Sequence, residues 1–166
     1  MPKLYIKAND LEELDSVKIF NDRGKEVYYT KDDFIATGHR IKIFLADTIS
    51  ECAYVQEKYD RLGDTRFEFA NKDKFGTVSR DPMSRMARYI VDYDEAWEIV
   101  GDAFIWKYSV YRGALRIIDV RSEPYLIPGQ ALNLTPTHIL TFDSESDVLI
   151  GLTFILAIYA LNKYRY

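Results

Sequence analysis

The chain has 166 residues, 48% of them apolar, and carries 26 acidic against 22 basic side chains for a formal net charge of −4. A length of this order forms one domain with a core of its own, and the acidic balance argues against a general nucleic-acid binder, which shows a basic excess. Cys52 is the one cysteine, so no internal disulfide forms and nothing calls for an oxidising compartment.

The amino end, MPKLYIKANDLEELD, has neither an apolar h-region nor a small-residue cleavage pattern, so the expected location is the cytosol. Short strands with polar turns follow. Leu4-Tyr5-Ile6 opens a first strand, and an acidic link over Asp10 to Asp15 leads to Val17-Lys18-Ile19-Phe20. Asn21-Asp22-Arg23-Gly24 tolerates left-handed backbone angles and Val27-Tyr28-Tyr29 returns, which reads as a hairpin. Phe34-Ile35-Ala36, a turn at Thr37-Gly38-His39 and the alternating Arg40-Ile41-Lys42-Ile43-Phe44 repeat the pattern.

Cys52 to Tyr59, Thr65 to Phe69 and Phe75 to Val78 are the next strands, with a turn at Arg61 to Asp64. Ser79 to Met86, with Pro82, reads as a midpoint loop. Strands resume at Tyr89-Ile90-Val91, Trp97 to Val100, Phe104 through Tyr111 and Ala114 to Val120. A Pro124, Pro128, Gly129 excursion precedes the last strand, His138 to Phe142. The unit Glu51–Phe69 has a faint counterpart in Ala114–Phe142, a match of pattern and not of identity.

The end of the chain is different. Val148 to Leu161, VLIGLTFILAIYAL, carries no charge, and as a helix over about residues 144–162 it is apolar in every direction. Such a helix must be surrounded, by protein or by lipid. Fourteen residues span only about 21 Å, short of a hydrocarbon core of about 30 Å, so a tail anchor is the strained alternative. Large apolar side chains contribute about 1.5–3 kcal/mol each when fully buried; deleting this segment is expected to unfold the protein. The expected fold class is therefore mainly β: one domain over residues 1–166, a closed antiparallel barrel of about twelve strands enclosing the last helix.

LYIK, the hairpin KIFNDRGKEVYYT, ECAYVQEKY with TRFEF, WEIVGDAFIWKYSV with RGALRIIDV, and DSESDV running into the apolar helix together resemble the LURP-one-related proteins, which share the tubby carboxy-terminal fold with phospholipid scramblases. The resemblance covers nearly the whole chain. It implies a twelve-stranded closed barrel threaded by the last helix, and little about activity, since small members mostly have no assigned function. The tubby branch binds phosphoinositides through basic side chains on its barrel. That site is not carried over to residues of this chain.

Two basic groups are candidate ligand-binding residues. Arg40 and Lys42 share a strand face, with His39 at the turn beside them, suited to an anionic headgroup; the plainer reading is solvated strand charge. Arg80, Arg85 and Arg88, with Met83 and Met86, suit a peripheral membrane contact, set against Asp81 and a plain solvated loop. Asp143, Glu145 and Asp147 stand where the resembling scramblases carry a calcium-binding stretch. They lack the glycine and downstream ligands of a calcium loop, so capping by Ser144 is the expected role. Cys52 reads as a packed thiol, and His39 and His138 have no adjacent nucleophile motif.

The sequence thus points to a non-enzymatic cytosolic binding or scaffold domain. Its expected ligand is an anionic phospholipid headgroup or a protein partner, with no cofactor, metal, nucleic acid or transmembrane span. A small hydrolase with a cleft near His39 or His138 is the alternative from another class, and a tail-anchored membrane protein is a third.

Overall fold

The computed structural model describes residues 1–12, 14–35, 38–59, 65–81, 88–124, 127 and 136–164. The strands are β1 (Lys3–Lys7), β2 (Lys18–Asn21), β3 (Glu26–Ile35), β4 (Gly38–Leu45), β5 (Glu51–Tyr59) and β6 (Thr65–Asn71). The second half adds β7 (Phe75–Arg80), β8 (Tyr89–Asp92), β9 (Trp97–Asp102), β10 (Lys107–Arg112), β11 (Leu115–Glu123), β12 (Thr137–Phe142) and the helix α1 (Val148–Lys163). All twelve strands lie in one sheet of order β8-β7-β6-β5-β4-β3-β2-β1-β12-β11-β10-β9.

Alternation drives this arrangement. Leu4 and Ile6 of β1 face inward while Lys3, Tyr5 and Lys7 do not, and Phe67 and Phe69 of β6 likewise reach the core. Every strand except β9 is the antiparallel neighbour of its predecessor, and β1 joins β12 with Leu4 opposite Leu140. The sheet thereby rolls into a nearly closed barrel. Its one break, among the described residues, is between β8 and β9.

Helix α1 fills the barrel. Val148, Ile150, Leu152, Phe154, Ile155, Leu156, Ile158 and Leu161 are buried, and only Leu149 of the large aliphatic set is partly exposed. Phe154 meets Phe69 and Trp97 edge-on at 5.1 and 5.2 Å. The buried Thr153 hydroxyl donates to the Leu149 carbonyl at 2.7 Å, so no donor is stranded there. Gly151 is needed for contact: a Cβ on it would stand 2.6 Å from Phe142 Cε1. By length and composition this helix could cross a membrane, but protein encloses it instead.

Three local expectations change. β3 runs unbroken from Glu26 to Ile35, because β4 pairs it from Tyr28–Leu45 to Ile35–Gly38; Gly38 and His39 therefore belong to β4. Thr37 lies outside the described residues, as do the expected turn at Arg61 to Asp64 and the centre of the midpoint loop. Phe104-Ile105-Trp106 is no strand: Asp102 Oδ1 accepts the Phe104 N–H at 2.9 Å and starts a 3₁₀ turn over Ala103–Ile105, and Trp106 ends it at φ 55°. Ser144 caps a 3₁₀ turn over Glu145–Asp147, its Oγ accepting the Ser146 N–H at 3.3 Å, and α1 starts one turn later.

Candidate ligand-binding site

Arg40 and Lys42 do share the outer face of β4, as the spacing predicts, but each is matched by neighbouring strands. Lys42 Nζ stands 2.6 Å from Asp33 Oδ2 on β3. Arg40 donates to Gln56 Oε1 at 2.7 Å, lies 3.5 Å from Glu51 and stacks over Tyr54. Lys42 holds the Asp33 carboxyl below the usual carboxylate range, first by hydrogen bond and then by charge. Carboxylates from both sides thus match Arg40 and Lys42, while Lys31 on β3, opposite Lys42, adds a further exposed cation to this face.

Arg80 and Arg88 end β7 and precede β8, while Arg85, Met83 and Met86 lie outside the described residues. Arg80 serves the fold: its Nη2 donates to Asn162 Oδ1 of α1 at 2.6 Å, and its guanidinium lies over Phe104 at 5.0 Å. Tyr89 donates to the same Asn162 oxygen at 2.7 Å, and burial raises the Tyr89 pKa. Arg88 instead lines a cavity of about 320 Å³ at the β8–β9 break, together with Tyr89, Trp97 and Gly101. The two basic groups of the sequence reading thus sit apart, on β4 and at the β7–β8 end.

A different basic surface stands on the outer face of β9, β10 and β11, where a cavity of about 550 Å³ is lined by Lys107, Arg116 and Arg121 with Asp119 and Ser109. Asp119 organises it. Its Oδ2 accepts from Arg121 Nε at 2.9 Å, its Oδ1 accepts from Ser109 Oγ at 3.1 Å, and Arg116 Nη1 lies 3.9 Å from it. The guanidiniums are half exposed or more, 50% for Arg116 and 61% for Arg121, so their outer nitrogens face solvent. One carboxylate therefore steadies two guanidiniums without cancelling both, a geometry fitted to a phosphate-bearing ligand. Lys3 lines an adjoining depression that shares Asp119 and Arg121. At the rim, Val100 and Ile105 are exposed large apolar side chains.

The other candidates resolve as follows. His39 Nδ1 is 2.7 Å from Asp32 Oδ2, and its ring stacks on Tyr164 at 3.7 Å. Burial, then the Asp32 charge, lifts the Tyr164 pKa beyond the ordinary phenol range. His138 is buried and stacked on Trp106 at 3.9 Å, and burial lowers its pKa to about 4. Neither histidine lines a described cavity. The Cys52 Sγ donates to the Ile43 carbonyl at 3.3 Å and burial pushes its pKa up, the opposite of an activated nucleophile. Asp147 is buried while Asp143 and Glu145 are exposed, and among the described residues no three His, Cys, Asp or Glu side chains gather as a metal site.

No protein-family model matches the chain, and no curated protein matches it by sequence. Among solved structures, the X-ray structure of a protein from Arabidopsis thaliana is similar, with a TM-score of 0.58 at 10% identity, over 98% of this chain and 90% of that one. The likeness is one of fold. It supports the barrel over nearly the full length of both chains.

Sequence reasoning missed Lys107, Arg116, Asp119 and Arg121: Lys107 stands on another strand, and strict alternation puts Arg116 on the face opposite Asp119 and Arg121. In the structure Val110 pairs with Ile118 but Tyr111 pairs with Arg116, leaving Ile117 as the extra residue of a bulge. Ile117 and Ile118 are both buried, and the bulge turns Arg116 out beside Asp119. The adjacent isoleucines of Leu115-Arg116-Ile117-Ile118-Asp119 were the available signal.

Proposed function

We propose that this protein is a non-enzymatic binding barrel of the cytosol, of the LURP-one-related, tubby-like kind, that holds an anionic phospholipid headgroup on the outer face of β9–β11. The observation that carries the reading is the Asp119-centred groove: Arg116, Arg121 and Lys107 against two carboxylates, Asp119 and Glu123, on a chain of net charge −4. Val100 and Ile105 at its rim, exposed by 56% and 60%, are suited to the acyl boundary once a headgroup is seated. Ion pairing gives the electrostatic half of such binding and makes it salt-sensitive.

Sedimentation with phosphatidylcholine vesicles, with and without phosphatidylinositol bisphosphate, tests this. The protein is expected to pellet only with the anionic vesicles, and less so as salt rises. Arg121→Glu together with Arg116→Glu lowers the apparent affinity by tenfold or more, whereas Arg40→Glu changes it little. Equal pelleting with both vesicle types, or a double variant that binds like the parent, would refute the reading.

A further inference from the structure

Consecutive antiparallel strands joined by a short turn ordinarily pair. β8 and β9 are joined through Tyr93–Ala96, where the Ala96 N–H donates to the Tyr93 carbonyl at 2.9 Å, yet no ladder connects them among the described residues. On its other side β8 is fully paired with β7, from Thr77–Asp92 to Arg80–Tyr89. The Asp81 N–H donates to the Arg88 carbonyl at 2.8 Å, which marks that pair as hydrogen-bonded. Hydrogen-bonded and open pairs alternate along an antiparallel ladder. Ile90 and Asp92 therefore bond to β7, while the N–H and C=O groups of Tyr89 and Val91 point into the break.

The break is shaped and charged as well as unpaired. Its cavity, about 320 Å³, lies between Arg88, Tyr89 and Val91 on one side and Trp97, Glu98, Ile99 and Gly101 on the other. Ile90 and Val100, beside it on the outer face, are exposed by 49% and 56%. Exposed apolar strand edges are normally covered. Charge gives the break a direction: away from the turn Arg88 and Arg80 stand with Asp81 and Asp102, whereas near the turn Asp92, Asp94 and Glu98 are all acidic. Glu95 is matched by Lys74 and Arg112 and adds little.

We propose that the β8–β9 break receives an extended peptide segment of a partner protein as an added strand, its acidic end lying against Arg88. Both walls belong to one sheet, so the occupant must be a strand free on both edges. A second copy does not offer its β8 in that form, because β7 occupies one edge. Main-chain hydrogen bonds to Tyr89 and Val91 supply the affinity, and the charge gradient supplies the direction.

The test uses an acetylated peptide of alternating Thr and Val that ends in two Asp residues. Its controls are the same peptide N-methylated at alternate residues and a version ending in two Lys residues. Amide hydrogen exchange at Tyr89 and Val91 is expected to be fast in the free protein and to slow tenfold or more with the Asp-ended peptide. The N-methylated peptide has no such effect, and Arg88→Glu reverses the preference towards the Lys-ended peptide. Four results overturn the proposal: amides already protected in the free protein, protection that grows with protein concentration alone, equal binding of the N-methylated peptide, or a preference unmoved by Arg88→Glu. Vesicle binding is read separately, so a failed lipid test leaves this result interpretable.

Discussion

The two ends of the barrel close by different physics. At the end where α1 begins, the strands are joined by short turns that satisfy themselves locally. Asn21 Oδ1 accepts the N–H groups of Arg23 and Lys25, Asn71 Oδ1 accepts those of Asp73 and Lys74, and Gly24 and Gly113 take positive φ values. At the end where α1 finishes, the bonds come from far along the chain. Tyr159 donates to the Leu11 carbonyl at 2.8 Å, Lys163 donates to the carbonyls of Leu11 and Glu12, and Asn162 gathers Arg80 and Tyr89. Among the described residues, one end is held by turns that bond within themselves; the other adds long-range bonds from the helix to its local ones.

The largest test of this contrast removes the plug. Ile155→Asp places a carboxylate at a fully buried position, where an unpaired charge is not tolerated. Loss of the cooperative thermal transition, read by circular dichroism, is expected. Next in size is an acid effect specific to the helix-finishing end. The unfolded chain binds a proton at His138 near pH 6.5, whereas the buried native ring resists it until about pH 4. Protonation therefore favours the unfolded state, and His138 costs stability as pH falls from about 6.5 to about 4, by roughly 3 kcal/mol at the bottom of that window. Urea melts of the parent and of His138→Phe, which keeps a ring against Trp106, should differ in slope across that range.

A paired comparison is smaller. Asn162→Ala strands two part-buried donors, from Arg80 and Tyr89, and is expected to cost about 1–3 kcal/mol. Asn71→Ala at the opposite end exposes its freed N–H groups to water and should cost roughly 0.5–1 kcal/mol. Equal losses in urea melts would erase the distinction between the ends.

What could be read from sequence follows the same division. Val148 to Leu161 announced an enclosed helix because its apolar side chains leave no polar stripe, and the turn signals at Asn21-Asp22-Arg23-Gly24 placed a hairpin where one stands. Local rules suffice for both. The Asn162–Arg80–Tyr89 knot joins residues far apart in the chain, so no window of sequence contains it. The Asp119 groove was hidden for another reason: period-two alternation holds until a bulge at Ile117 breaks it. Arg40 and Lys42 were visible as a charged face, but their acidic partners arrive on β3 and β5 through a register that alternation alone does not fix.

Anion binding stands or falls on one surface, the outer face of β9–β11. Titration with soluble inositol trisphosphate, followed by amide chemical shifts, addresses it without a membrane. Shifts concentrated at Ser109, Arg116, Asp119 and Arg121, abolished by Arg121→Glu, are the predicted result; shifts centred on Arg40 and Lys42, or none at saturating ligand, would contradict it.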